Sequence, residues 1–516
     1  MKAQNLGINL HQWLALSTLI LTANVWAGDN LNFAPAFGSH MVLQQGQPVP
    51  VWGTAKPETK VTIALGIHKQ TAIANTDGQW KTVFPPLKAK GQTLRITAET
   101  TMDKSILHDI LVGEVWLCAG QSNMEWKLSQ SASAKIEIPV AKHVRLRLFN
   151  FLGATRGGGG DYTAELVKRL TPQRFCRGQW RVCSPDSAAP FSAVGYFFGQ
   201  KLLSNLDAPV GLINIAMGGT PAEAWVRRGA LASHPQLAAM TRGNWLNNKS
   251  LEPWCRGRGA SNLKRASAAN DFIPGDDLGP NHSFKPSFMW AAAVAPLTQM
   301  PIAGVLWYQG ESNAESEWRV AQHDWVLKTL ITDWRAQWMR PSLPFLFVQL
   351  PAMNRPHWPA FRASQQRVHD GMPHTGMAVT LDLGKPLDVH PRDKKPVGER
   401  LALIASKQVY GKSVVAFGPE VKSVSRNDDR LIVKFESADG LRTRNGKAPT
   451  GFEIRNGKEE WHTVNARIVD GVLELNCGTS IKPTAVRYGW VSFPEPRLNL
   501  INAAGLPAAP FLRDVD

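Results

Sequence analysis

The chain has 516 residues, 43% of them hydrophobic, with 58 Lys and Arg against 41 Asp and Glu and a formal net charge of +17. Its length exceeds one ordinary domain and its apolar content suffices for packed cores, which excludes a disordered chain and a small disulfide-stapled module. The positive charge favours anionic partners such as acidic glycans, but Lys and Arg are scattered and no nucleic-acid motif is present, so nucleic acid is not an expected partner.

Residues 1–27 read as a signal peptide: Lys2 precedes an apolar run at 13–23, and VWA at 25–27 suits cleavage. The run is too short to span a bilayer comfortably, and no later apolar stretch reaches spanning length. The expectation is a secreted or bacterial periplasmic protein without stable membrane insertion. Residues 28–110 hold short alternating segments, VTIAL at 61–65 and TLRIT at 93–97, punctuated by Asp77-Gly78 and Pro85-Pro86. That pattern predicts a β-sandwich-like module.

From 111 to 411, apolar strands alternate with helical stretches such as 323–339 and 395–410, which predicts a parallel sheet covered by helices. The first strand, VWLC at 115–118, stops at Ala119-Gly120 and presents Ser122, the position where an α/β sheet offers a nucleophile. Met124 replaces the second glycine of a G-x-S-x-G elbow, and a serine here could equally cap a helix. A second strand, INIAM at 213–217, ends in Gly218-Gly219, whose backbone N–H groups can face a ligand as an oxyanion hole requires. A third, GVLWY at 304–308, runs into Gln309, Glu311 and Asn313, and a fourth, MAVTL at 377–381, leads through Asp382 to Asp388 and His390. Serine, paired glycines, amides and an Asp/His pair, each after a strand, are the parts of acyl transfer. The glycine run 157–160 lacks a following Lys-Ser/Thr, so it is no P-loop; it reads as a mobile loop or insertion tip. Residues 412–516 return to short strands, LIVKF at 431–435 and GVLEL at 471–475, a second β module.

The order and wording of GQSNMEW (120–126), GGTPAEAW (218–225), WYQGESN (307–313) and DVHPRDK (388–394) resemble the sialate O-acetylesterase group of SGNH hydrolases. The likeness extends through most of the chain, including RYGW at 487–490 and GLP at 505–507. It implies an SGNH-like three-layer α/β domain flanked by the two β modules, acting on O-acetylated carbohydrate. It makes Ser122 the nucleophile and His390 the general base, with the N–H groups of Gly219 and Ser122 and the Gln309 amide as oxyanion donors. Gln121, Glu311, Asn313, Trp126 and Trp225 become supporting or substrate-contacting residues. Many members carry the orienting aspartate three residues before the histidine, whereas Asp388 lies two before it. Asp388 is the first choice for that role and Asp382 the second, with a serine–histidine dyad as the alternative.

The chemistry needs neither metal nor organic cofactor, and the histidines carry no zinc signature. Neutral imidazole, with an unperturbed pKa of about 6.5, accepts the serine proton. Five cysteines include Cys176 and Cys183, close enough in sequence to pair in an oxidising compartment. Nineteen tryptophans suit sugar rings, although core packing accounts for most tryptophans. Trp126 and Trp225 stand nearest the motifs; Asn281, His282 and Ser283, and residues 362–365, are further candidates to reach substrate or to be solvated surface. A non-catalytic glycan-binding protein on an esterase scaffold is the reading from another class, disfavoured by the intact set of reacting groups. Within the esterase reading, sialic acids compete with xylan, xyloglucan and other plant polysaccharides, because the motifs address the acetyl carbonyl and not the sugar.

Overall fold

The computed structural model describes residues 30–155, 157–478 and 482–515; the segment read as a signal peptide lies outside them. A strand of 17 residues, β1 (Lys104–Gly120), ties the amino-terminal half of the molecule together. Its first part pairs antiparallel with Leu94–Glu99, and Val42–Gln44 runs parallel to residues 111–113. Its second part, buried throughout, enters a different neighbourhood and becomes the middle of the central sheet. The division read between residues 110 and 111 therefore falls inside a continuous strand. Before β1, Asn32–Phe33, Val49–Thr54 and Gln79–Phe84 form a three-stranded sheet, and alternate residues of Val49–Thr54 and Lys60–Leu65 are buried, as two facing β-layers require.

The central sheet continues with β2 (His143–Asn150), β3 (Trp180–Cys183), β4 (Val210–Asn214), β5 (Gly304–Tyr308), β6 (Phe345–Val348) and β7 (Thr375–Ala378). Its spatial order is β3-β2-β4-β1-β5-β6-β7. All neighbours are parallel except the edge strand β3, which is antiparallel to β2. Strands buried on both faces read as unbroken apolar runs, and side-chain alternation splits them between two cores. Val115, Leu117 and Ala119 of β1 enter one, Trp116 and Cys118 the other. Helices α1 (Ala193–Asn205) and α4 (Lys395–Gln408) cover the second core, and α2 (Glu317–Gln337) packs Leu330 and Trp334 into the first. A further helix, α3 (Trp358–Gly371), links β6 to β7.

The chain leaves β1 towards β2 and β4 on one side and later builds β5, β6 and β7 on the other. The carboxyl end of β1 is thus the point where strand order reverses, and such a point opens a crevice. Gly120 turns the chain there at φ 127°, and a Cβ would collide with the Tyr308 carbonyl of β5. Only glycine lets Ser122 emerge so close to the neighbouring strand.

The carboxyl-terminal residues form two four-stranded antiparallel sheets, one built on Glu420–Asn427 and Arg430–Glu436, the other on Phe452–Arg455 and Ala485–Tyr488. Buried Arg362 fastens them to the central part by donating to the carbonyls of Val491 and Ser492. Residues 362, 364 and 365, read from sequence as near substrate or surface, are consequently interior. No helix among the described residues is long and apolar enough to cross a membrane.

All five cysteines are free thiols, which corrects the expected pairing of Cys176 with Cys183. The two side chains enter opposite cores of the sheet, and no disulfide spans that separation. The glycine run 157–160 is not a detached tip. Asn262 Nδ2 donates to the carbonyls of Gly158 and Gly160 at 3.2 and 2.6 Å, and Gly157 rests on the Gly218 carbonyl.

Candidate active site

Ser122 opens a single helical turn, Ser122–Glu125, directly after β1. Its hydroxyl lies 2.7 Å from His390 Nε2, which arrives from the loop after β7, 268 residues along the chain. Both residues are half-buried. Trp126 stacks on the imidazole with ring centroids 4.9 Å apart and planes 24° from parallel, fixing the ring's attitude. Burial is the main cause that lowers the His390 pKa from its usual value, and Lys394 adds to it while Asp388 opposes it. The imidazole is therefore neutral near pH 7 and able to accept the serine proton.

Asp388 does not hold the imidazole. Its carboxylate accepts from the backbone N–H of His390 at 2.9 Å. An aspartate two residues before the recipient closes an Asx turn more readily than it reaches the recipient's ring. Asp382, the second choice, is engaged by both guanidinium nitrogens of Arg400 at 2.8 and 2.6 Å and by Arg444 at 3.1 Å. It joins α4 to a turn of the carboxyl-terminal part. Nδ1 of His390 has no hydrogen-bond partner among the described residues, so Ser122 and His390 form a pair without an orienting carboxylate, beside Trp126 and Asp388.

On the other side of Ser122, Gly218 N–H donates to Glu125 Oε2 at 2.7 Å. Gly219 has φ 73°, and a Cβ there would stand 2.7 Å from the Phe284 ring. Glycine is needed for both reasons. Among the described residues, the N–H groups of Gly219 and Ser122 have no intramolecular acceptor. Gln309 departs from its expected role as an oxyanion donor. Its Nε2 donates to Asn313 Oδ1 at 2.6 Å and to the Thr220 carbonyl at 3.3 Å, so both hydrogens are committed. Exchanging the amide atoms would set oxygen against two acceptors, which fixes this orientation.

Asn313 carries the network onward. It accepts from Ala222 N–H at 2.9 Å and donates to Glu223 at 3.0 Å, and Glu223 forms a fully buried ion pair with Arg319 at 2.6 Å. Gln121 Oε1 accepts from the N–H groups of Gly310 and Ser312 at 3.4 and 3.3 Å, locking the turn before Ser122 to the end of β5. Trp225 is wholly buried, its Nε1 donating to Thr220 at 2.9 Å and its ring edge-on to Trp307, so it is core and no substrate contact. Asn281, His282 and Ser283 are also interior, with His282 Nε2 facing the Tyr162 hydroxyl at 3.0 Å.

Sequence reasoning named Glu311 as a supporting residue but missed Lys394 and Asn123, which with it bind the three loops together. Buried Lys394 donates to Asn123 Oδ1, and Asn123 Nδ2 donates to Glu311 and to the Val389 carbonyl, the latter at 2.9 Å. Burial lowers the Lys394 pKa to about 7, against the pull of Glu311, and raises that of Glu311 above the usual carboxylate range. Lys394 stood inside the DVHPRDK motif, but a lysine read in sequence defaults to solvent.

The family profile "Carbohydrate esterase, sialic acid-specific acetylesterase" matches residues 284–406, a stretch holding Gln309 and His390 but not Ser122. Mouse sialate O-acetylesterase is 29% identical over 539 residues, covering 95% of each chain. The human sialate O-acetylesterase is 28% identical, covering 96% of this chain and 94% of its own. A crystal structure of a carbohydrate acetylesterase from Xanthomonas citri superposes with a TM-score of 0.76 at 29% identity, over 94% of this chain and 99% of that one. Together with the α/β sheet, these define a carboxylic ester hydrolase. More particularly, over nearly its whole length the chain is similar to the sialate O-acetylesterases.

Proposed function

We propose that this protein removes O-acetyl groups from carbohydrates through an acetyl-serine intermediate on an SGNH-type domain. The single observation carrying the reading is the 2.7 Å contact between Ser122 Oγ and the neutral imidazole of His390 at the strand-order reversal. The serine O–H passes its proton to Nε2 as Oγ attacks the acetyl carbonyl. Negative charge develops on the carbonyl oxygen, where the N–H groups of Ser122 and Gly219 receive it; each such donor is worth roughly 3–4 kcal/mol of barrier. The imidazolium then protonates the departing sugar oxygen. Water, deprotonated by the same imidazole, attacks the acetyl-enzyme, and acetate leaves as Oγ recovers its proton.

In this reading the β modules flank a catalytic domain of about residues 111–411, and residues 1–27 direct export to the periplasm or beyond. The named relatives favour acetylated sialic acid, with acetylated plant polysaccharide as the second reading because the structural neighbour is described only as a carbohydrate acetylesterase. The deciding experiment is acetate release from O-acetylated sialic acids, xylan and xyloglucan beside a simple aryl acetate. Hydrolysis of a glycan acetate is expected; aryl acetate cleavage with every glycan left intact would overturn the carbohydrate assignment.

A further inference from the structure

Lys394 is only 1% exposed, yet among the described residues its ammonium forms no ion pair with a carboxylate. Its hydrogen bond goes to Asn123 Oδ1, and Glu311 is reached through the Nδ2 of that amide. A lysine taken out of water without a direct counter-ion is costly. The other lysine buried this deeply among the described residues, Lys285, does meet a carboxylate, that of Asp276 at 2.6 Å.

The exception stands beside the reacting pair. Nζ of Lys394 lies 5.7 Å from the centroid of the Trp126 ring and 5.7 Å from that of Tyr308. Trp126 is also the ring that stacks on the His390 imidazole, at 4.9 Å. One indole thus touches both a buried cation and the imidazole. Asn123 adds a mechanical link, because it follows Ser122 in the chain and donates to the carbonyl of Val389, the residue before His390, at 2.9 Å. The lysine holds the amide that holds the histidine loop against the serine turn.

The other charges near the pair are engaged elsewhere or lie in water. Asp388 bonds the His390 backbone, and Glu125 accepts from Gly218 N–H on the far side of Ser122. Arg392 and Asp393 are exposed, and Lys395 pairs with Glu137 at 2.8 Å. Burial raises the Glu311 pKa, which weakens it as a counter-charge in mild acid, whereas Lys394 is charged below its own value of about 7. Of the two charges acting on the imidazole, Lys394 opposes its protonation and Asp388 favours it.

We propose that Lys394 is a positioning residue of the reacting pair and that its buried charge keeps the His390 imidazole unprotonated in mild acid. A carboxylate on Nδ1 would orient the ring but also favour its protonation; a buried lysine acting through Asn123 orients the loop and opposes protonation. This rests on the reading of His390 as general base and adds the group that sets its acid limit.

The test separates the charge from the bond. Lys394→Gln keeps a donor for Asn123 and removes the charge, whereas Lys394→Arg keeps the charge. The pH dependence of kcat/KM on 4-nitrophenyl acetate reports the base of the free enzyme. The acid limb of Lys394→Gln is expected to lie about 0.5–1 pH unit above that of wild type, with Lys394→Arg at the wild-type position. A brace with no electrostatic task would lower kcat at every pH and leave the limb in place, and that result overturns the proposal. An NMR titration of the His390 imidazole, its signal identified by loss in His390→Gln, keeps the test open should Lys394→Gln fail to fold. In wild type the midpoint should lie below the ordinary value of about 6.5; a midpoint at or above it overturns the proposal. A midpoint that rises in Lys394→Gln while the rate profile stays put would support the electrostatic role and overturn the general-base reading instead.

Discussion

The ends of β1 and β5 lie side by side, with Gly120 registered against Tyr308, and both continue into a run of polar residues. After β1, Ser122 stays half-exposed with its N–H unspent and its hydroxyl turned to His390. After β5, Gln309, Glu311, Ser312 and Asn313 are all at least 96% buried, and their bonds run mainly to one another, to Gln121 and Asn123, and to Glu223. In the mechanism proposed above, one run supplies reacting groups and the other supplies the frame that holds them. Polar density in sequence is the same for both tasks. Burial separates them, because a polar group out of water has to be paired inside the protein, and a group so paired is not free to meet a substrate.

The largest test of the contrast is Ser122→Ala. It should lower turnover of 4-nitrophenyl acetate by roughly 10⁴–10⁶, with an unchanged melting temperature. A folded variant with a rate near wild type would end the nucleophile assignment. Next comes Arg319→Met on the β5 side, which strands Glu223 in the interior. Urea unfolding should show a loss of about 3–5 kcal/mol; an unaltered midpoint would mean that the frame does not depend on this pair.

Gln309→Ala sharpens the comparison. With both amide hydrogens committed, its loss should cost about 1–3 kcal/mol of stability and less than about 10-fold in rate. A fall of 10²–10³ in kcat with full stability is the signature of a lost oxyanion donor, and it would return Gln309 to the reacting side. The smallest effect is expected from Asp388→Asn. A carboxylate that bonds the His390 backbone and only raises the imidazole pKa electrostatically should leave the rate within about 10-fold of wild type. The His390 pKa already lies below its ordinary value, so activity falls as pH drops through that lowered pKa, and removing the carboxylate moves this acid limb lower still. A drop approaching 10⁴, as expected for a lost orienting acid, would place Asp388 on the ring, and an acid limb moved upward would overturn the electrostatic role given to its carboxylate.

Apolar runs that stop at small or polar residues marked four of the seven central strands, two of them a few residues late (213–217 against Val210–Asn214 and 377–381 against Thr375–Ala378), because a parallel sheet buried on both faces needs continuous apolar side chains. The same logic singled out Ser122, the paired glycines and His390, the groups of the mechanism proposed above, because they stand after strand ends. Local spacing did not reveal where the carboxylates go. Asp388 lies two residues and Asp382 eight before His390, but one closes a turn and the other meets two arginines, Arg400 and Arg444. Nor could composition tell Trp126, half-buried against His390, from the wholly buried Trp225, or mark Lys394 as a buried lysine joining three loops.

What the sequence by itself determined, then, is the class of chemistry and the series of strands that display it, because both depend on residue type and on periodicity along the chain. The tertiary structure alone decided which donors remain free, which acid is a brace, and which aromatic faces the crevice. Those properties arise from contacts across hundreds of residues, such as the 268 between Ser122 and His390, and from the exclusion of water that only the folded chain imposes.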